Sequence, residues 1–307
     1  MEYPSLDKEI IDIKSLFYIF FKEKVLIFSI TLLFSFFSVF YALNISNIYN
    51  SESKLISTSE LESAKKNVDY GNLGLGGFVD LVGGGSPIMD PRSKLAKELL
   101  TSKEFISEFV TKRNILIPLM AGESWDKEKN KININQNIYD EKEMIWKRKA
   151  THLLESKPSR NEIFEKFSSS FQFRKNKDGI IYLTLSSLSP TTSENWLKWI
   201  IEDVNEDIRK KEILSSQQRI DFLLKELQSE SVSSTRDVIS AVLAAEYSQL
   251  MLANTQKDFS LTVIDPPSLA SSRTGTPRSV ICILITTFGF FFSILIVILK
   301  NYLKFFK

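Results

Sequence analysis

Two long uncharged runs near the ends of the chain constrain its fold more than anything between them. Val25 to Leu43 (VLIFSITLLFSFFSVFYAL) is 19 residues without a charge, and Val280 to Leu299 (VICILITTFGFFFSILIVIL) is 20 more. At a rise of about 1.5 Å per residue each covers roughly 30 Å, the thickness of a hydrocarbon core. A core helix of a soluble protein rarely runs so far without a polar stripe. The expectation is a transmembrane helix at 25–43 and a second at 279–299. A formal net charge of +2 over 307 residues argues against a polyanion-binding surface, so nucleic acid is not an expected partner.

A cleaved signal peptide is the alternative reading of the first run. Against it, 24 residues with both signs of charge precede the run, and nothing like A-x-A follows it. Lysine and arginine then orient the chain. Lys8, Lys14, Lys22 and Lys24 precede the first run, and only Lys54 lies in residues 44–60. Lys300, Lys304 and Lys307 follow the second run, and Arg273 and Arg278 precede it. Residues 1–24 and 300–307 are therefore expected in the cytoplasm, and residues 44–278 outside, as one periplasmic domain of 235 residues. Cys282 is the only cysteine, which excludes an intramolecular disulfide and is consistent with a bacterial inner membrane and periplasm.

The outer segment reads as α+β, a membrane-proximal α/β base with a long antiparallel helical arm. Ahead of the first run, residues 10–24 place Ile10, Ile13, Phe17, Phe20 and Phe21 at helical spacing, as in an interfacial helix. SESKLIST and TVID (262–265) read as strands able to pair with one another. Residues 93–113 read as one helix, with Leu95, Leu99, Ile106, Phe109 and Val110 on a single face and Ser93 as its N-cap. SFQFRK and IIYLTLSS flank Asp178-Gly179, a hairpin signal. Ser189 and Pro190 then open a helix whose stripe is Leu197, Ile201, Val204 and Ile208, resumed by Ile213, Ile220, Leu224 and Leu227. From Thr191 to Leu227 it would be about 55 Å long. SESVSST (229–235) interrupts it, and a second helix carrying Val238, Val242, Ala245 and Leu252 returns. So thin an arm has faces left over for neighbouring subunits.

Chemistry is sparse. GNLGLGGFVDLVGGGSP (71–87) holds seven of the eleven glycines, but it matches neither the Walker spacing nor G-x-G-x-x-G. It reads as a mobile, contact-ordered loop. His152 is the only histidine and has no nucleophile signature beside it. Asp203, Glu206 and Asp207 read as a solvated helix face. Trp146 with Lys147, Arg148 and Lys149 reads as a surface run that could meet sugar or lipid phosphate. No zinc or calcium pattern occurs, so no catalytic residue, metal or cofactor is expected. Pro266, Pro267 and Pro277 stiffen the connector into the second run.

This arrangement resembles the Wzz-type polysaccharide chain-length determinants, or polysaccharide co-polymerases, in their kinase-less O-antigen branch. The resemblance rests on IIDIKSLFYIFFKEK before the first span, LSSLSPTTSENWLKWIIEDVNEDI opening the long helix, AEYSQLMLANTQKDFSLTVIDPP, and TPRSV at the second span. It implies a non-catalytic inner-membrane protein whose outer domains form a ring-like homo-oligomer. Such a protein acts with a Wzy-type polymerase, beside membrane lipid and the growing polysaccharide on its lipid carrier, to set the length of O-antigen or a related glycan. Gly74, Gly76, Gly77, Ile213, Ile220, Leu224, Pro266, Pro267 and Pro277 are the candidate oligomer or polymerase contacts. Two departures stand out. SLASSRTGT separates Pro267 from Pro277 where relatives often carry more prolines, and the chain ends at NYLKFFK without the Walker-bearing kinase domain of capsule-type relatives. The alternatives are a capsule or exopolysaccharide co-polymerase with a separate kinase, or a sensor, for which eight residues after the second span leave no output domain.

Overall fold

The computed structural model describes residues 21–58, 91–147 and 156–305. The glycine-rich stretch, His152 and most of the expected interfacial helix lie outside those residues. The chain divides into two compact units, one of Met1–Ser46 with Gly275–Lys307 and one of Asn47–Thr274.

The first unit is a pair of apolar helices, α1 (Lys24–Asn44) and α8 (Arg278–Phe305). Both are long and apolar enough to cross a membrane. They run antiparallel. At one end Lys300 Nζ lies 2.9 Å from a Glu23 carboxylate oxygen, and at the other Arg278 donates to the Ile45 carbonyl at 3.1 Å. Between these ties the helices meet closely at Gly289, where a Cβ would lie 2.4 Å from Cβ of Phe34. Phe34 in turn has the rings of Phe288 and Phe292 at 6.3 and 6.0 Å. Ser38 and Ser293, both buried, donate to the carbonyls of Ser35 and Phe290 in their own helices. Neither of these two hydroxyls is left bare in an apolar setting.

The second unit is built on a four-stranded antiparallel sheet in the order β6-β7-β1-β8, formed by Phe171–Lys175, Ile181–Ser187, Tyr49–Ser57 and Leu261–Asp265. The two strands expected from SESKLIST and TVID do pair, with Leu55 opposite Val263 and Ser57 opposite Leu261. The hairpin is present too. Gly179 adopts φ 82°, a left-handed turn conformation that suits glycine, and Asn176 Oδ1 accepts the Ile180 amide at 2.8 Å. Strand β1 buries alternate residues, as a half-covered strand should. Several of these are Ser51, Ser53 and Ser57, and such small side chains leave room for a helix to lie close over the sheet.

Four helices precede the hairpin: α2 (Pro91–Leu100), α3 (Lys103–Lys112), α4 (Leu116–Ala121) and α5 (Arg160–Ser170). The single helix expected over 93–113 is thus two. Thr101 Oγ1 donates back to the Lys97 carbonyl at 2.9 Å, and Ser102 Oγ accepts the Phe105 amide, capping α3. Hydroxyl side chains that satisfy backbone groups locally end one helix and start the next. The break redirects the face. Ile106, Phe109 and Val110 are buried, Leu95 is 41% exposed, and Ser93 is buried within α2 rather than capping it. Helix α5 begins at a capping box formed by Ser159 and Glu162. Its Phe167 ring packs between Phe109 (5.6 Å) and Phe171 (5.8 Å). Two small hairpins, β2-β3 (Gly122–Asp126, Lys131–Ile134) and β4-β5 (Tyr139–Asp140, Ile145–Trp146), lie between α4 and α5 in the sequence.

Helix α6 (Pro190–Ser229) is a single run of 40 residues, about 60 Å at the usual rise. Pro190 occupies its first turn, as expected, but Ser189 makes no capping bond and instead lies 3.0 Å from the Thr191 hydroxyl. Helix α7 (Ser233–Thr255) returns after a break at 230–232. The fold is α+β, with the first half of α6 in the core and the second half paired with α7 as an arm.

Candidate functional site

Three sets of contacts make α6 the organising element of this unit. Leu197, Ile200, Ile201, Val204 and Ile208 are buried in the core cluster against sheet and helices. Asn205 sits inside this stripe and supplies its polar connection. Its Oδ1 accepts the backbone amides of Ser260 (2.9 Å) and Leu261 (2.8 Å), and its Nδ2 donates to the Leu261 carbonyl at 2.9 Å. One amide side chain thus does for the outer edge of β8 what another strand would do.

Asp203 makes the second set. Its carboxylate is 7% exposed and takes hydrogen bonds from Arg113 Nε (3.0 Å), Arg113 Nη2 (2.8 Å) and Lys112 Nζ (2.7 Å). Burial works against its charge, but the hydrogen bonds from Arg113 and Lys112 outweigh burial and hold its carboxyl below the usual carboxylate range. The solvated face expected for Asp203 is therefore corrected, because the C-terminal end of α3 delivers two cations onto it. Arg113 also lies over the Trp199 ring, with its guanidinium carbon 5.6 Å from the centroid.

The third set is the arm. Ile220 and Ser216 are buried between α6 and α7. Arg219 Nε donates to Glu246 Oε1 at 2.8 Å and its Nη2 to Glu212 Oε1 at 2.9 Å. The inward face of α7 differs from the expected one. Ile239, Val242, Leu243 and Leu250 are half-buried and Ala253 buried, while Val238 and Ala245 are exposed. Val242 and Leu252 thus face inward as expected, and Glu246 rather than Ala245 turns towards α6, where it pairs with Arg219.

The candidate contact residues fall in different places. Gly74, Gly76 and Gly77 lie outside the described residues. Ile213 packs on the core cluster, Ile220 is 1% exposed and so has no surface for a neighbour, and Leu224 is 37% exposed. Pro266 and Pro267 border a groove of about 790 Å³ between α6 and the connector, with Ile201, Asn205 and Val263 among its lining residues. Pro277 is exposed, and its carbonyl accepts the Val280 amide at 2.9 Å in the opening turn of α8. The connector is held to β1 as well as stiffened by proline: Ser268 and Thr274 donate their amides to Glu52 and Ile48. Trp146 stacks edge-on against Tyr139 (4.9 Å), and Lys147 pairs with Asp140 at 2.7 Å. That hydrogen bond and the amides of Glu143 and Lys142 push the Asp140 carboxyl down to about 2. Lys147 is thereby tied to its own hairpin. Among the described residues no three His, Cys, Asp or Glu side chains come together as a metal site.

A pair of membrane-length helices with an α+β unit between them in the sequence fits a membrane protein of two spans. Residues 9–112 match the family model of the Wzz chain length determinant protein. That stretch includes α1, β1, α2 and α3, and the match agrees with the resemblance read from the sequence. No curated protein matches the chain. Among solved structures, a full-length bacterial polysaccharide co-polymerase is similar at 10% identity, with 95% of this chain and 98% of that one covered and a TM-score of 0.39.

Proposed function

We propose that this protein is a non-catalytic regulator of polysaccharide chain length, acting with a Wzy-type polymerase on O-antigen or a related glycan. The observation that carries the reading is the Wzz match over 9–112 together with the two membrane-length helices. Together they fit an inner-membrane protein. Both termini lie in the cytoplasm and residues 44–278 in the periplasm, supported by the lysine bias around the spans. Copies of the chain assemble through the outer unit, whose arm leaves Leu214, Phe222 and Met251 exposed. The growing glycan remains on its lipid carrier while the assembly governs how long the polymerase extends it.

Deletion of the gene broadens the length distribution of the surface glycan without stopping its synthesis, which gel ladders measure. A clean deletion that abolishes polymer identifies an essential enzyme or exporter instead. Reporter fusions at Lys307 and near Ser231 give opposite signals, and matching signals refute the topology.

A further inference from the structure

The groove beside Pro266 and Pro267 carries more polar groups than the fold uses. It encloses about 790 Å³, within the roughly 300–1,000 Å³ of sites that take small ligands. Ile201, Val263, Pro266 and Pro267 form the apolar part of its lining. Asn195, exposed on α6, stands at it with an amide that bonds to no described residue. Charged groups line it too, and they divide into two sets. Glu206 accepts from Arg209 Nε at 3.1 Å, and Glu202 lies 3.4 Å from Arg113 Nη2. Glu194, Lys198, Lys257 and Asp258 have no ion-pair partner among the described residues. Two carboxylates and two ammonium groups are thus left at the groove, and their charges cancel.

The edge of β8 adds backbone groups. Leu261 turns its N–H and C=O outward to Asn205. By the alternation of an antiparallel ladder Val263, two residues on, turns its own to the same side. A peptide that adds as a further strand needs a run of such groups. This edge has no run to give: Asn205 occupies it at Leu261, and Pro266 and Pro267 carry no N–H. What remains are separate donors and acceptors around an apolar strip. A polyanion would set like charge against Glu194 and Asp258, and a polycation would do the same to Lys198 and Lys257. A sugar chain meets both conditions, because each hydroxyl donates and accepts without charge and the ring C–H faces are apolar.

We infer that this groove binds a short neutral stretch of polysaccharide. Its hydroxyls meet Asn195, Lys198, Lys257, Asp258 and the backbone of Val263, while its ring faces lie on the two prolines. The inference rests on the glycan-length reading above and gives this chain a direct contact with the glycan.

The test uses the full-length chain in detergent and oligosaccharides released from the surface glycan of the strain that carries the gene. Saturation-transfer NMR is expected to show transfer from protein to sugar ring protons, with little change between low and high salt, as a neutral ligand requires. Asn195→Trp fills the groove from an exposed position and should abolish the transfer. Lys198→Ala combined with Asp258→Ala, both exposed, should weaken affinity by about tenfold or more. Melting followed by circular dichroism checks that each variant stays folded. No transfer with the wild type, equal transfer in all variants, or binding that collapses at high salt overturns the inference. So does tighter binding of an oligogalacturonate or of a Val-Thr repeat peptide. Gel ladders separate this result from the functional reading. A deletion that broadens the ladder, with Asn195→Trp binding sugar as the wild type does, leaves that reading standing without the groove. A deletion that leaves the ladder unchanged overturns the reading, and sugar binding lost in Asn195→Trp still supports the groove.

Discussion

Asn205 holds Leu261 at both of its backbone polar groups, accepting the amide at 2.8 Å and donating to the carbonyl at 2.9 Å. The contact fixes the register of the long helix against β8. An edge strand ordinarily presents a row of unpaired donors and acceptors. Here a buried side chain takes part of that row. Asn205→Leu removes these bonds and the one to Ser260 at nearly constant volume, leaving buried backbone groups bare. Stability should fall by at least about 2 kcal/mol. Thermal unfolding of the full chain in detergent, followed by circular dichroism, measures the loss, and an unchanged transition counts against the clamp.

Asp203 makes stability depend on pH. Its folded carboxyl is held below its ordinary range by Arg113 and Lys112 against the opposing effect of burial. A depressed folded value favours the folded state fully above the unfolded pKa of about 4, and that advantage is lost as pH falls through the folded value. Asp203→Asn is expected to be less stable than the wild type by about 1.5–3 kcal/mol near neutral pH. The gap between the two melting temperatures should narrow as pH falls below the ordinary carboxylate range of about 4. A gap that stays constant to the acid end would show that the pair contributes through shape alone.

Gly289 permits the close approach of the two apolar helices, since any Cβ there would strike Phe34 at 2.4 Å. Gly289→Leu should lower the detergent melting temperature and separate the helices. Gly289→Ala should recover when Phe34→Gly is added, because both the ring and the Cβ that obstruct the new methyl are then gone. If the double variant is no better than Gly289→Ala alone, the contact is not what limits the approach.

Gly74, Gly76 and Gly77 bear on glycan length under the proposed function. Replacing the three by alanine narrows the backbone freedom of that stretch. The modal length on gel ladders should shift while membrane insertion stays intact. A wild-type profile would leave the stretch without a part in length control.

Much of the fold was legible because the signals were local. The uncharged runs, the pairing of SESKLIST with TVID, the Asp178-Gly179 turn and the stripe from Leu197 to Ile208 each depend on a few neighbouring residues. The misreadings came where distant partners decide. Asp203 reads as solvated until α3 brings Arg113 to it across 90 positions. Residues 93–113 keep helical spacing throughout, and the break comes from two hydroxyls that prefer local bonds. Asn205 carried a faint signal, a lone amide directly after Val204 in an otherwise apolar stripe, but nothing nearby indicates that its partner is β8. On α7, Glu246 takes the inward position expected of Ala245 and meets Arg219, a partner 27 positions away that no local spacing reveals.

The pairing of β1 with β8 also sets how this unit would bear tension. The strands are antiparallel, so the chain enters at Ile48 and leaves after Thr274 at the same end of the ladder, where those two residues form an isolated bridge. A pull delivered through Asn47 and Thr274 would therefore load one hydrogen bond at a time, peeling the Ile48–Thr274 bridge first and the Ser268–Glu52 bond next. Strands pulled from opposite ends would resist in shear, with many bonds strained together. The unit accordingly has a mechanical fuse where the chain enters and leaves it. Small forces can part the entering and leaving segments by a few residues while Leu55, Leu261 and the clamp at Asn205 stay closed behind them.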